Sequence, residues 1–290
     1  MEYIYNINRT KEIVKQHGFK FSKSLGQNFL IDGNILNKIV DGAGITEEDN
    51  VLEVGPGIGS LTQFLAERAK KVLAVEIDSS LLPILGKTLR EYNNVEVINK
   101  DILKVDLNKL IEEHFPDKKP KVVANLPYYV TTPIIMKFLE EKIGIDSLVV
   151  MIQKEVAERM QAGPNTKDYG SLSIAVQYYC NPKILFKVPP SVFVPPPKVE
   201  STVIKLDVRD KPLVDVLDEK LFFNIIRDSF GKRRKTLLNA LSTGNLKLDK
   251  ELIRESLIFL NINESIRGEA LSIGQFAEIA NYIKGKLTNS

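Results

Sequence analysis

The sequence predicts an α/β protein: a doubly wound, mostly parallel sheet of Rossmann type followed by a small all-helical domain. Three observations predict it. From residue 34 to residue 206, short β-branched apolar runs alternate with stretches of helical period, the pattern of a parallel sheet covered on both faces. A glycine-rich turn follows the first of those runs. After a change of texture at 207–216, where Lys211-Pro212 marks a linker, the periodicity is helical throughout.

The elements follow in chain order. Residues 1–33 carry Arg9, Lys11, Lys15, Lys20 and Lys23, a basic amphipathic lead-in that suits a solvated helix or contact with RNA. Asn28 and Leu30, within Gln27-Asn28-Phe29-Leu30, suit the N-cap region of a helix starting near Asp32. The first strand is Val51-Leu52-Glu53-Val54, followed by the turn Gly55-Pro56-Gly57-Ile58-Gly59-Ser60 and a helical pattern from Leu61 to Ala69. Lys71 to Glu76, Val95 to Ile98 and Val122 to Ala124 are the next three strands. Thr132 to Glu141 is helical, Leu148 to Ile152 a fifth strand, and Lys154 to Ala162 and Ser171 to Tyr179 helices again. Ile184 to Val188 and Thr202 to Leu206 form an antiparallel end to the sheet. The loop between them, Pro189 to Pro197, holds five of the chain's 14 prolines. From Leu217 the chain is helical, with breaks at Ser242-Thr243-Gly244 and near 261–265. The expected domains are therefore 1–33, 34–206 and 207–290.

Composition narrows the chemistry. The 290 residues include 43% apolar and 27% charged side chains, as in a soluble globular protein with room for one large and one small domain. Net charge is +3, from 40 basic and 37 acidic residues, so any nucleic-acid footprint must come from clustering rather than from bulk charge. Cys180 is the only cysteine, which excludes an internal disulfide and a Cys-rich zinc site. With two histidines, His17 and His114, neither a His-based metal centre nor a triad is expected. No signal peptide or apolar span of about 18 residues is visible, so a cytoplasmic protein without membrane contact is expected, acting as a monomer.

The chemistry-bearing residues fall at successive strand ends. Gly55 and Gly57 let backbone approach a ligand where a β-carbon would clash. Glu76 ends the second strand about twenty residues later, where nucleoside-binding folds keep the acid that accepts ribose hydroxyls. The spacing is G-x-G-x-G, and Ser60 stands where the dinucleotide fingerprint needs glycine. That departure disfavours a dinucleotide oxidoreductase and suits S-adenosylmethionine, which has no pyrophosphate to cradle. Asp101, after the third strand, is placed to accept from the cofactor's adenine amine. Asn125-Leu126-Pro127-Tyr128, after the fourth strand, offers an amide oxygen, a carbonyl held by proline and an aromatic face. An adenine amine is a poor nucleophile because its lone pair is delocalised into the ring. Two acceptors for its hydrogens favour the geometry in which that lone pair points outward, which is catalysis by positioning and preorganised dipoles. The same tetrapeptide also suits an ordinary strand-to-helix turn. Phe193, in the proline-stiffened loop, is expected to complete an aromatic sandwich with Tyr128 around a flipped-out base. Such a loop also suits a rigid crossover. Lys232-Arg233-Arg234-Lys235 is the densest basic run, either a phosphate clamp at a helix start or a solvated turn. No general base is evident, and attack by a neutral amine on a cationic methyl donor requires none.

These residues resemble the ribosomal small-subunit RNA adenine dimethyltransferases nearly end to end. Ser24-Leu25-Gly26-Gln27-Asn28-Phe29-Leu30 resembles the family's N-terminal cofactor motif, and Asn125 to Tyr129 its catalytic motif. Val192 to Val199 resembles its target-base loop, and Phe230 to Leu237 its helical-domain signature. The resemblance implies a class I methyltransferase fold, with the cofactor-covering motif of residues 1–33, at Gln27-Asn28-Phe29-Leu30, folding over the cofactor and Asn28 and Leu30 touching it. It implies S-adenosylmethionine as cofactor, no metal, and the small-subunit rRNA or its precursor particle as partner. The implied reaction is dimethylation of two adjacent adenosines in a hairpin loop near the 3′ end of that RNA. A resistance-type methyltransferase of large-subunit RNA and an assembly factor acting mainly by binding remain as alternatives.

Overall fold

The computed structural model describes residues 3–16 and 26–288. It divides into two compact units, one of residues 1–157 and 182–208, the other of residues 158–181 and 209–290.

The first unit is built on a seven-stranded sheet. Numbered within it, the strands are β1 (Asn50–Val54), β2 (Lys71–Glu76), β3 (Val95–Asn99), β4 (Lys121–Asn125), β5 (Ser147–Gln153), β6 (Cys180–Val188) and β7 (Ser201–Val208). Their spatial order is β3-β2-β1-β4-β5-β7-β6. The first five run parallel, and β7 is antiparallel to β5, as the sequence pattern requires. Every residue of β1 is buried, as befits the central strand of a sheet covered on both faces. The order reverses between β1 and β4, so the loops after these strands open into one crevice, the usual ligand position in such sheets.

Some helices of this unit begin at residues whose side chains cap them. α1 is Ile7–Gln16. α2 (Gly33–Ala43) starts after Asp32, whose carboxylate accepts from the Asn34 and Ile35 amides. It ends at Gly44, whose φ of 61° is left-handed. α3 (Ser60–Ala66) leaves the glycine turn. α4 (Leu82–Thr88) and α5 (Leu107–His114) fall in stretches the sequence pattern leaves unassigned. The short α4 shows little of the period that marks a helix in sequence. The cap of α5 is legible, since Asp106 accepts from the Lys109 amide. α6 is Thr131–Glu140. A separate two-residue ribbon pairs Phe29–Leu30 with Phe193–Val194 antiparallel. It joins the N-terminal segment to the proline-rich loop.

The second unit is helical. α7 (Lys154–Gln161) runs into it, followed by α8 (Ser171–Tyr179), α9 (Glu219–Gly231), α10 (Leu237–Ser242), α11 (Lys250–Phe259) and α12 (Ile273–Thr288). Phe222, Ile225, Leu257, Phe276 and Ile279 are fully buried in it. Buried Tyr169 donates to the Leu271 carbonyl at 2.9 Å, and Tyr178 packs on Phe222 and Phe223. These contacts draw residues 158–181 to the helices, whereas their sequence pattern places them with the sheet. Among the described residues, no helix is long and apolar enough to cross a membrane.

Candidate active site

The ends of β1, β2 and β4 and the N-terminal segment surround a cleft. Its lining includes Asn28, Leu30, Gly55, Gly57, Glu76, Asp101 and all of Asn125-Leu126-Pro127-Tyr128.

The glycine turn is shaped by its acid. Gly57 has φ of 62°, and a β-carbon there would stand 3.1 Å from the Phe29 ring. Its amide donates to one Glu76 carboxylate oxygen at 3.1 Å, while the Asp78 amide donates to the other at 2.8 Å. Glu76 is only 4% exposed, and burial raises its pKa, with these two amide bonds opposing the rise. Each oxygen keeps a lone pair, so the carboxylate can still accept from a ligand diol. A β-carbon on Gly55, with φ of 70°, would meet no protein atom; the residue borders the cleft. Asp101 accepts from the Leu103 amide through one oxygen, and the other faces Lys104 at 3.6 Å.

At the end of β4 the Asn125 amide nitrogen donates to the Asn28 carbonyl at 3.1 Å. That bond occupies the nitrogen and leaves the amide oxygen as the unused end of the group. Next to it, no described residue donates to the Leu126 carbonyl, whereas the Pro127 carbonyl accepts from Val130 and Thr131. Two acceptors are therefore left at one strand end, as polarisation of an amine requires. The hydroxyls of Tyr128 and Ser201 share a 2.7 Å hydrogen bond, which fixes the Tyr128 ring beside the cleft.

The structure places Phe193 opposite Leu30 in the ribbon, 3% exposed and packed in the core with Leu30 and Val203. The basic run lies in a turn directly before a helix start, compatible with both placements its sequence suits. Residues 232–235 occupy the turn between α9 and α10, ahead of the Thr236 cap. Lys232 donates to the Thr243 carbonyl and hydroxyl, at 2.5 and 2.7 Å. Arg233 donates to the Lys167 carbonyl at 2.9 Å. Arg234 and Lys235 are exposed and make no side-chain hydrogen bond or ion pair with a described residue. Ser24 and Leu25 of the N-terminal motif, with His17, Lys20 and Lys23, lie outside the described residues.

Sequence reasoning missed Glu53. This β1 residue is 1% exposed yet borders the cleft, and neither its Oε2 nor the Ser60 hydroxyl has a hydrogen-bond partner among the described residues. Burial, with the charge of Glu76 adding, pushes its pKa up to about 8. A carboxylate amid the apolar run Val51-Leu52-Val54 was the available signal. Between the ordinary value of 4.5 and about 8, the folded protein holds a proton that the unfolded chain has released. Unfolding then releases that proton, so stability falls as pH rises through this window, by up to about 1.4 kcal/mol per pH unit. Glu53→Gln, neutral at every pH, should therefore flatten the decline of the unfolding temperature between pH 5 and pH 8 and unfold at a higher temperature than wild type at pH 8. Parallel slopes for the two proteins would show that Glu53 does not titrate in this way.

Residues 18–285 match the family described as ribosomal RNA adenine dimethylase. The chain is 68% identical over 287 residues to ribosomal RNA small subunit methyltransferase A of Alkaliphilus oremlandii, covering 99% of this chain and 100% of that protein. It is 55% identical over 289 residues to the protein of the same name from Clostridioides difficile, over the full length of both. Among solved structures, a dimethyladenosine transferase from Plasmodium falciparum superposes with a TM-score of 0.77 at 29% identity, covering 89% of this chain and 98% of that one. The 23S rRNA methyltransferase ErmE superposes with a TM-score of 0.66 at 25% identity, covering 88% and 99%. With a cleft built on motifs that fall within the matched span, and relatives alike over their whole length, the chain belongs to the ribosomal RNA adenine dimethylase family.

Proposed function

We propose that this protein dimethylates the exocyclic amines of two adjacent adenosines in a hairpin loop near the 3′ end of small-subunit rRNA, as a step of small-subunit biogenesis in the cytoplasm. The observation that carries the reading is the Asn125 amide, tied by its nitrogen to the Asn28 carbonyl so that its oxygen is the end left over, next in sequence to a Leu126 carbonyl to which no described residue donates. These two oxygens accept the two amine hydrogens, and the nitrogen lone pair is left pointing away from them. Tyr128 gives the base a face to stack on, worth about 1–3 kcal/mol.

S-adenosylmethionine, when bound, supplies the methyl groups as an electrophilic sulfonium. Glu76 accepts from its ribose and Asp101 from its adenine amine, while Gly55, Gly57, Asn28, Leu30 and Asn125 come close to it. Whole-length identity to small-subunit enzymes, against 25% to ErmE, favours the small subunit over the large. The test is transfer of labelled methyl groups from S-adenosylmethionine to purified unmethylated small subunits and to large-subunit RNA in parallel. Label confined to the small subunit supports the reading, and label on the large-subunit RNA alone defeats it.

The basic turn supplies a second expectation. Of its four residues, Arg234 and Lys235 are the ones the fold leaves available for phosphate, since Lys232 and Arg233 are held by carbonyls. Replacing both with Gln should weaken binding to small subunits and flatten the dependence of log affinity on log salt by about 0.7–0.9 for each phosphate no longer neutralised. S-adenosylmethionine affinity should stay as in wild type. A salt slope equal to wild type would return the pair to ordinary surface charge.

A further inference from the structure

Tyr129 is the aromatic residue of the catalytic turn that the fold does not use. It follows Tyr128 in the one-turn helix Tyr128–Val130 and borders the cleft, yet 55% of it is exposed. Its hydroxyl bonds no described residue, whereas that of Tyr128 is held by Ser201. Its ring is nevertheless not loose in solvent. A β-carbon on Gly26 would stand 3.4 Å from one ring carbon and 3.6 Å from another, so the backbone of the N-terminal segment backs the ring. Gly26 itself has φ of 58°, a conformation that favours glycine and admits this approach. The result is an aromatic ring at the cleft, supported on one side and open to solvent elsewhere, although large apolar surface is usually withdrawn from water.

A base that leaves its stack to enter a cleft strips its neighbour of a stacking partner as well. Where two adjacent adenosines are to be modified, that neighbour is itself a substrate and stands beside the cleft while the first is held. Consecutive Cα atoms are about 3.8 Å apart, so a ring one residue from the Tyr128 platform is within reach of the next nucleotide. Single-stranded RNA is recognised through such platforms, because every base has a face to stack. We propose that Tyr129 is a second base platform, which stacks on the adenosine adjacent to the one held against Tyr128 and so makes the enzyme specific for paired targets. The proposal rests on the function put forward above and adds a binding position to it. Phe193 does not supply this face, since its ring is packed with Leu30 and Val203.

The test uses the full-length protein, S-adenosylmethionine and purified unmethylated small subunits, comparing Tyr129→Ala, Tyr129→Phe and Tyr129→Trp with wild type. The loss of one stacked base should raise KM for the subunit about 5- to 150-fold in Tyr129→Ala. Its kcat and its calorimetric affinity for S-adenosylmethionine should stay within a few-fold of wild type. Tyr129→Phe and Tyr129→Trp, which keep a ring face, should retain a KM close to wild type. An unchanged KM in Tyr129→Ala overturns the platform, and so does an equal loss in Tyr129→Phe, which would assign the effect to the hydroxyl. A parallel loss of S-adenosylmethionine affinity in Tyr129→Ala overturns it in favour of a part in holding the cofactor. Wild-type protein that leaves small subunits unmethylated overturns the proposed function and this inference together, whereas an active wild type with a normal Tyr129→Ala overturns only the latter.

Discussion

Asn125→Ala should lower kcat for methyl transfer about 10²- to 10³-fold, the usual effect of removing one preorganised polar group from a reacting centre. Only the Leu126 carbonyl would then accept from the amine, and one acceptor does not orient the lone pair. Cofactor and RNA binding should largely persist, so the loss should appear under saturating concentrations of both. Asn125→Asp sharpens the test. It restores an accepting oxygen but sets a carboxylate against the Asn28 carbonyl, where the amide nitrogen now donates at 3.1 Å. Orientation rather than mere acceptance being the point, Asp should also be strongly impaired. A near wild-type rate in the alanine variant, measured with labelled cofactor, would remove Asn125 from the mechanism.

Glu76→Ala should weaken S-adenosylmethionine binding about 10- to 150-fold, the effect of losing a charged hydrogen-bond partner worth roughly 1.5–3 kcal/mol. The sequence suggests a strand-end carboxylate whose removal leaves the fold untouched. In the structure it is buried and accepts the Gly57 and Asp78 amides, so alanine also strips two backbone donors of their acceptor. A lower unfolding temperature should therefore accompany the weaker binding. Glu76→Gln, which keeps one accepting oxygen, should recover much of the stability and less of the affinity. Because burial raises the pKa of Glu76, affinity should also fall as pH drops through that raised value and the carboxylate gains a proton. Calorimetry across pH checks both. Affinity unchanged in the alanine variant would place the ribose elsewhere.

What could be read in advance divides along physical lines. Strands β1 to β5 and the order of glycine turn, acid and Asn-x-Pro-Tyr were legible, because period and turn chemistry are local properties of the chain. The position of Phe193 was not. Its neighbour Leu30 lies far away in sequence, and a two-residue ribbon leaves no periodic trace. The basic run was legible as charge but not as geometry, because the carbonyls that hold Lys232 and Arg233 belong to Thr243 and Lys167. Glu53 illustrates a third case. A lone acid within an apolar strand is visible in sequence, but whether it is paired depends on packing from several elements, and here one oxygen is left without a partner among the described residues. The resemblance to the adenine dimethyltransferases, by contrast, was carried by motifs and is borne out by the family match over residues 18–285.

The most direct test of the account is to locate the methyl groups. Purified protein and S-adenosylmethionine would be incubated to completion with unmethylated small subunits, and the extracted RNA digested and analysed by mass spectrometry. Two adjacent N6,N6-dimethyladenosines in one hairpin loop near the 3′ end, four methyl groups per RNA, are the predicted product. Methylation at a single adenosine, at scattered positions or on large-subunit RNA instead would contradict it.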